Sequence, residues 1–505
     1  MLAGSTAIER AGVRATPCAP FSPNVASKSL SASSRKNVAG VAPEQLLHTL
    51  GILCCPGLGC VGPRVVFRHD LGEQPLVTPR YGWSLEPAKA TRTARVRTYS
   101  LDSQTTDSAP SMGAYMTGVK SRNEVLSLDG NAFAAPYAPT KDTTVTPNVN
   151  NAVNNCPATG NGAAVSTILE QVIAKGKASG VVSTARLTHA TAAATYAHIC
   201  HRNAEYAIAR QAVPGGAGYN AALGAGVDVL LGGISDYWRP FNSTTTPKGR
   251  PDGRDLVAEL QAKGYTSVSD LASLNAAPTS GKLIGLFDQA ASQGHMSFEL
   301  DRNPALEPSL ALMTTKAIDI LSKNPNGYFL MVEGGRIDHA LHNTNAKRAL
   351  ADTISFDDAI KAALGKVDLS NTLVVVTADH DHTMAFNGYS QVGNDILGKI
   401  TDVKSKSPIK AADGLPFTTL VFGIGTNANQ TLRSGTWPDL TSVDTSGNND
   451  YLQQFGVQLK GASAGGETHG GGDVILFATG ARSNVFKGSI DNTKVFGMLR
   501  QALGF

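Results

Sequence analysis

The chain has 505 residues, of which 42% are apolar and 17% are charged, with a formal net charge of +4. This apolar content excludes a disordered chain, and no run of about 18 apolar residues is present, so we predict a globular protein without a membrane span. Six cysteines in a chain of this length exclude a small disulfide scaffold.

The first 98 residues differ from the rest of the chain. They hold twelve basic and five acidic residues, four of the six cysteines and nine of the 25 prolines. We interpret 1–98 as an anomalous basic, Pro- and Cys-rich segment, either mistranslated or disordered, and 99–505 as the catalytic domain. The arginines are scattered without interleaved aromatic residues, so we expect no nucleic-acid partner.

Met1–Pro20 lacks the apolar core of an ordinary signal peptide. The apolar stretch Leu46–Cys60 is either a displaced export segment or a buried strand.

From residue 99, short apolar runs alternate with stretches of helical periodicity. This alternation predicts an α/β fold, a three-layer sandwich around a mainly parallel central sheet with helices on both faces. A Gly-, Asn-, Ser- and Thr-rich stretch, Asn387–Gly466, indicates a loop-rich insertion. The predicted strands are Gly180–Ser183, Val227–Gly232, Gly327–Val332, Thr372–Thr377 and Asp473–Ala478, and the predicted helices are Ser111–Lys120, Ala163–Lys177, Ser309–Lys323 and Asn345–Leu364.

Histidines and carboxylates lie next to three of these strands. In parallel sheets, ligands bind beyond the carboxyl ends of the strands. Imidazole and carboxylate ligands without thiolate favour zinc, and oxygen-only ligands favour magnesium. The candidate ligands are Glu333, Asp338 and His342 after one strand, Asp379 and His380 after another, and His469 shortly before a third.

Each of these residues also has an ordinary structural interpretation. Asp379 and His380 can form a turn or a helix cap, Asp338 and His342 a surface pair on one helix face, and His469 a plain loop. Taken singly, the structural interpretation is favoured. Three separate strand edges that each deliver His or Asp make coincidence the weaker explanation, and we predict a shared metal site.

Ser108, in Thr106–Ser111, is the candidate nucleophile. No base is adjacent in sequence, so a metal ion would have to lower its pKa. The alternative is that Asp107 and Ser108 only cap the following helix, whose N-terminus favours phosphate oxygens in either case. Arg202, on an Ala-rich helix after Thr191, has the geometry for a two-point grip on phosphate, or is a surface residue.

Residues 99–505 resemble the alkaline phosphatase family along nearly their whole length. Five motifs in series carry the resemblance: Asp102–Ala109 with Thr117–Lys120, His189–Thr191 followed by Arg202, Glu333–His342, Thr377–His380, and Glu467–Gly471. The resemblance implies hydrolysis of small-molecule phosphate monoesters, two Zn²⁺ and one Mg²⁺ per chain, a homodimer, and a periplasmic or secreted location.

Residue roles follow from the same resemblance. It implies Ser108 as the phosphorylated nucleophile and Arg202 as the phosphate clamp. It implies one zinc held by Asp338, His342 and His469, a second zinc held by Asp379 and His380, and a magnesium ion contacted by Thr191 and Glu333. His189 and His339 stand at positions where the family varies, so they would tune the third metal.

The sequence departs from the family at several positions. The family motif Asp-Gly-Met-Gly, whose aspartate bridges two metals, is absent, and Asp70 is a degenerate candidate for it. Asp381, Pro110 and Gly472 also differ from the usual residues. Two other functions follow as alternatives: a catalytically defective relative that binds metal or phosphate, and a sulfatase, which Met112 disfavours because an arginine is expected there.

Overall fold

The computed structural model describes residues 92–505, apart from 136, 143–148, 235, 247, 288–293, 392, 426–440, 443–454 and 459–465. Asp70, the stretch Leu46–Cys60 and the first four cysteines lie outside the described residues. The predicted division of the chain at residue 98 therefore stays a prediction.

The described residues form an α/β fold. The strands are β1 (Arg92–Arg97), β2 (Thr140–Asp142), β3 (Val149–Val153), β4 (Ala178–Arg186), β5 (Val229–Gly233), β6 (Tyr265–Val268), β7 (Lys282–Leu286), β8 (Tyr328–Glu333), β9 (Leu373–Val376), β10 (Asp381–His382), β11 (Met384–Phe386), β12 (Leu420–Gly425), β13 (Phe455–Gln458), β14 (His469–Gly470), β15 (Val474–Gly480) and β16 (Gly488–Asp491). The α-helices are α1 (Ser108–Thr117), α2 (Ile168–Ala174), α3 (Ala190–Ala193), α4 (Glu205–Gln211), α5 (Leu256–Ala262), α6 (Leu271–Ala276), α7 (Leu310–Leu321), α8 (Arg336–His342), α9 (Ala346–Lys366) and α10 (Asn492–Leu503).

The largest sheet is entirely parallel, with strand order β6-β7-β5-β4-β8. Successive residues of β4 face opposite sides. Val181 belongs to the core cluster that contains Leu169 of α2, whereas Val182 belongs to the cluster that contains Met313 of α7. Helices therefore cover both faces, which confirms the predicted α/β architecture.

A second sheet has the order β16-β1-β15-β9. Strand β1 pairs antiparallel with β15 and parallel with β16, and β15 pairs antiparallel with β9. Ala94 and Val96 of β1 alternate with exposed residues and are buried in the core. The sheet thus includes residues that precede position 99. Among the described residues, no helix has both the length and the apolar composition that crossing a bilayer requires.

All five predicted strands are present, and two predicted helices begin within one residue of the predicted position. Ser309 and Asn345 are the N-caps of α7 and α9, each accepting a backbone N–H with its side chain. Helix α2 begins at Ile168 rather than Ala163, because Thr167 and Glu170 form a reciprocal capping box there.

Helix α1 begins at Ser108, three residues earlier than predicted. The carboxylate of Asp107 accepts the N–H of Ala109 at 2.7 Å and so satisfies a free donor of the first turn. The helix ends at Gly118 in the left-handed conformation (φ 74°), where a Cβ would lie 2.6 Å from the ring of Phe496. Glycine is required at this close approach.

The expectation of an Ala-rich helix carrying Arg202 is wrong. Helix α3 ends at Ala193, and Arg202 lies in a turn before α4. The reason is that Ile199 forms a bridge with Leu126, and the N–H of Arg202 donates to the carbonyl of Glu124 at 2.7 Å. These pairings with another segment replace the helical hydrogen bonds.

Cys156 and Cys200, which the sequence left either paired or free, form a disulfide bond with Cα atoms 5.7 Å apart. The bond closes a loop with a sequence separation of 44 residues, and Arg202 lies two residues after it. The segment that presents Arg202 is therefore covalently anchored.

Candidate metal centre

Three strand edges deliver the predicted ligands to one place. Strand β8 leads into α8, which carries Asp338 and His342, while β9 is followed by Asp379 and His380. The short ladder between β10 and β14 then places His382 directly opposite His469. The backbone therefore brings these separate segments together, as the sequence predicted.

Asp338 is at the centre of a histidine cluster. Its Oδ1 atom lies 2.9 Å from Nε2 of His382, 3.3 Å from Nε2 of His342, 3.5 Å from Nε2 of His469 and 3.8 Å from Nε2 of His380. The Nε2 atoms of His342 and His469 are 3.1 Å apart. The carboxylate and the imidazoles of His342, His380 and His469 form a donor set that suits a divalent transition metal.

Backbone carbonyls fix the tautomers of two of these histidines. Nδ1 of His342 donates to the carbonyl of Glu467 at 2.5 Å, and Nδ1 of His469 donates to the carbonyl of Thr106 at 2.7 Å. When Nδ1 carries the proton, Nε2 keeps its lone pair. Both Nε2 atoms face Asp338, where their lone pairs would bind a metal ion of the zinc type.

The charges in this cluster support one another. Burial alone would raise the pKa of Asp338, but His342, His382 and His469 hold it well below its usual range. Burial lowers the pKa of His380 well below its ordinary value, and the nearby His469 lowers it further. The centre therefore contains an ionised carboxylate beside a neutral imidazole, the forms that bind metal ions.

Side chains with oxygen atoms lie beside this cluster. Oδ2 of Asp379 is 3.5 Å from Nε2 of His380, and it accepts the hydroxyl of Thr191 at 3.3 Å. The hydroxyl of Ser183 donates to Oε2 of Glu333 at 2.5 Å. Burial raises the pKa of Glu333 to about 7 against the effect of that hydrogen bond. A buried carboxylate with hydroxyl neighbours suits a hard cation such as magnesium.

Ser108 lies at the N-terminus of α1, where it is 3% exposed. Its Oγ atom is 2.9 Å from Nε2 of His380, so the nucleophile candidate touches the cluster directly. Arg202 reaches the same end of the helix, since Nη1 donates to Oδ1 of Asp107 at 3.1 Å and Nη2 is 3.1 Å from Nε2 of His189. A serine and an arginine are thus both positioned at the N-terminus of α1.

The structure brings together all the predicted site residues that it describes. His189 lies beside Arg202 and contacts the ring of His339, with centroids 5.2 Å apart. Asp70 is the one predicted residue outside the described part of the chain.

The sequence analysis assigned no role to four residues of the site: His382, Glu467, Ser183 and His295. His382 and His380 are two apart in an extended segment, and this spacing places both side chains on one side. That spacing was available as a signal. Ser183 contacts Glu333 on the neighbouring strand, and Glu467 contacts His382 from a separate loop. No local pattern in the sequence indicates such contacts. His295 packs on the ring of His339 with centroids 4.0 Å apart.

The fold and the site define an α/β protein in which a buried serine and an arginine meet a cluster of histidines and carboxylates able to hold metal ions. Comparison with known proteins identifies the family that has this fold and site. The family model described as alkaline phosphatase matches residues 82–505. The chain belongs to the alkaline phosphatase family.

Several relatives are similar over most of their length. An alkaline phosphatase of Gadus morhua is 35% identical over 457 residues, covering 86% of this chain and 87% of the relative. The tissue-nonspecific isozyme of Gallus gallus is 34% identical, covering 83% and 76%, and the membrane-bound alkaline phosphatase of Bombyx mori is 33% identical, covering 79% and 70%. The crystal structure of the Thermus thermophilus alkaline phosphatase has a TM-score of 0.55 and 26% identity, covering 82% of this chain and 83% of that one.

Proposed function

We propose that this chain hydrolyses small-molecule phosphate monoesters through a phosphoserine intermediate on Ser108. The observation that carries the proposal is the position of the Ser108 hydroxyl, 2.9 Å from Nε2 of His380 within the histidine and carboxylate cluster. Membership of the alkaline phosphatase family supports the reaction class.

The donor chemistry supports a specific assignment of metals. Asp338, His342 and His469 would hold one zinc, and Asp379 and His380 would hold a second. Thr191 and Glu333 would contribute to a magnesium site, where both offer oxygen atoms. When bound, such ions neutralise the phosphate dianion and lower the pKa of the attacking hydroxyl.

The residues of the chain then carry out the reaction in two steps. Oγ of Ser108 attacks phosphorus, the Oγ–P bond forms, and the ester P–O bond breaks as the alcohol leaves. Water next cleaves the phosphoserine, which releases inorganic phosphate and restores the hydroxyl. Arg202 binds two phosphate oxygens in a bidentate manner. The backbone N–H of Ser108, at the first position of α1, would add a donor to the same anion.

We also propose that the chain works outside the cytoplasm, in the periplasm or as a secreted protein. The disulfide between Cys156 and Cys200 supports this proposal, because such bonds persist in oxidising compartments. A homodimer remains the expected assembly.

A metal- and phosphate-binding relative without turnover is the second candidate. The missing Asp-Gly-Met-Gly motif favours it, since the family aspartate bridges two metals. The sulfatase alternative has less support, because Met112, which stands where arginine is expected, is 7% exposed and packed in the core.

Hydrolysis assays at alkaline pH separate these candidates. The chain, supplied with Zn²⁺ and Mg²⁺, is tested on p-nitrophenyl phosphate and on p-nitrophenyl sulfate. We expect turnover of the phosphate ester that falls at least about a thousandfold in Ser108→Ala, since that variant lacks the attacking oxygen. Ser370→Ala, which removes an exposed turn hydroxyl, is the matched control. Stoichiometric zinc without turnover would overturn the proposal in favour of the second candidate, and preferential sulfate hydrolysis would favour the third.

A further inference from the structure

One face of α1 contacts the segment that carries two of the proposed metal ligands. Ser108, Ser111 and Tyr115 are separated by three and four residues, so they lie on the same face of this helix. Oγ of Ser108 lies 2.9 Å from Nε2 of His380. The other two side chains contact the backbone of residues 378–379. The helix and the segment are therefore joined at three successive positions.

Ser111 and Tyr115 bind the backbone beside the ligands rather than the ligand side chains. The hydroxyl of Tyr115 donates to the carbonyl of Ala378 at 2.9 Å, and the hydroxyl of Ser111 donates to the carbonyl of Asp379 at 2.5 Å. Tyr115 is 3% exposed, and Ser111 has no exposed surface. A buried carbonyl that loses its donor bears the full penalty of desolvation, so these bonds hold the segment in place.

The segment 378–380 belongs to no strand. The ladder between β9 and β15 ends at Val376, and β10 begins at Asp381. Ladder hydrogen bonds therefore do not fix the backbone between these two strands. The bonds from α1 act at this gap in the ladder.

The hydroxyl of Ser111 is itself oriented by the last helix. Nδ2 of Asn492, the first residue of α10, donates to Oγ of Ser111 at 3.3 Å and to the carbonyl of Thr98 at 3.4 Å. Asn492 has no exposed surface. A hydroxyl has one proton, and because Asn492 acts as the donor in its contact, that proton is left for the carbonyl of Asp379.

We propose that Ser111 and Tyr115 are positioning residues for the proposed reaction. They set the distance from Ser108 on α1 to the ligands Asp379 and His380. Ser108 is activated only when its hydroxyl lies within reach of the ion that these ligands would hold, and a displacement of about 1 Å can lower a rate about a hundredfold. The kinetic part of this inference rests on the proposed function, whereas its metal-binding part requires no turnover.

Tyr115→Phe removes one hydroxyl and keeps the buried ring, so it is the main test variant. We expect the zinc affinity, measured by competition with a chromophoric chelator, to fall about tenfold, the lower end of the range for outer contacts of metal sites. With saturating Zn²⁺ and Mg²⁺, kcat for p-nitrophenyl phosphate should also fall about tenfold. KM should change less than twofold, because Arg202 still binds the phosphate. Ser111→Ala should change the same quantities in the same direction.

Tyr265→Phe is the matched control. The hydroxyl of Tyr265, which is 4% exposed, donates to the carbonyl of Val227 at 2.6 Å. Both phenylalanine variants lose a buried hydrogen bond from a tyrosine to a backbone carbonyl, so both should lower the melting temperature. Only Tyr115→Phe should change the zinc affinity and kcat, since Tyr265 contacts no part of the metal-ligand segment.

The outcomes separate the inference from the proposed function. Unchanged zinc affinity or unchanged kcat in both Tyr115→Phe and Ser111→Ala would overturn the inference, as would an equal loss in Tyr265→Phe. Turnover by the wild type would in each case leave the proposed function standing. If the wild type binds zinc without hydrolysing p-nitrophenyl phosphate, the proposed function fails, and the zinc affinities alone decide whether Ser111 and Tyr115 position the metal ligands.

Discussion

Oε2 of Glu467 accepts a hydrogen bond from Nδ1 of His382 at 2.7 Å, deep in the protein, where the glutamate side chain has no exposed surface. Nε2 of the same imidazole lies 2.9 Å from Asp338. The other oxygen of Glu467 accepts the N–H and the hydroxyl of Thr383 at 2.5 Å each. Through its backbone carbonyl, Glu467 also orients His342. One residue thus orients two histidines around the central carboxylate.

Replacing Glu467 with glutamine should weaken metal binding. The amide would no longer hold His382 as a donor toward Asp338, and outer contacts of this kind are worth about 10- to 100-fold in metal affinity. Zinc competition with a chromophoric chelator measures the effect. Glu170→Gln removes a buried carboxylate that bonds to His198 away from the centre and is the matched control. Unchanged zinc affinity in Glu467→Gln would contradict the orienting role, as would additive effects in a double variant with His382→Gln.

Loss of the disulfide should lower both stability and substrate affinity. The chain-entropy model gives about 4 kcal/mol for a loop with a sequence separation of 44 residues. Because Arg202 lies two residues beyond Cys200, the Cys156→Ser, Cys200→Ser double variant should also raise KM for a phosphate ester several-fold. Thermal unfolding and steady-state kinetics, compared with the wild type under oxidising and reducing conditions, provide the test. A KM that stays constant while the melting temperature falls would show that the bond does not position Arg202.

Asp107 should both cap α1 and hold the guanidinium of Arg202 in place. Asp107→Ala removes the helix cap, which costs about 0.5–2 kcal/mol of unfolding free energy. It also frees the Arg202 guanidinium, which is bonded to Asp107 at 3.1 Å, so the inhibition constant of inorganic phosphate should rise. Urea unfolding and phosphate inhibition are the two measurements. Asp491→Ala, which removes the N-cap of α10, should lower stability without changing phosphate inhibition; an equal change in both variants would contradict a specific role of Asp107.

The buried pair of His198 and Glu170 should make stability depend on pH. Nε2 of His198 lies 2.6 Å from Oε1 of Glu170, and Nδ1 donates to the carbonyl of Ser127 at 2.8 Å. Despite burial, which opposes both shifts, this pairing raises the pKa of His198 and lowers the pKa of Glu170. The histidine contribution is complete below its unfolded pKa of about 6.5 and is lost as pH rises through the folded pKa. The glutamate contribution is present above its unfolded pKa of about 4.3.

His198→Gln should therefore destabilise the chain by about 1.5–3 kcal/mol between pH 5 and 6.5 and by less at alkaline pH. Thermal unfolding at pH 6 and pH 9, at the same zinc and magnesium concentrations, measures the difference. Asn371→Ala, in an exposed turn, should show no such dependence on pH. A loss of equal size at both pH values would rule out an ion pair at this position.

The sequence predicted the strands better than the contacts between distant segments. Val181 and Val182 belong to an apolar run that predicts a strand buried on both faces, and β4 is such a strand. The position of Arg202 was mispredicted, because Ala-rich sequence favours helix while long-range pairing with Glu124 decides the backbone. The motifs that contain Asp338, His380 and His469 predicted the site, whereas no local pattern predicts that the side chain of Glu467 contacts His382.

The position of β1 between β15 and β16 has a consequence for how the chain is made. Its two neighbours come from the last 32 residues, and α10 at the very end contacts α1. During synthesis, β1 can therefore pair only after residues 474–491 have left the ribosome. Vectorial folding of the parallel sheet can begin early, but α1 reaches its contacts with α10 only once residues 492–503 have been made.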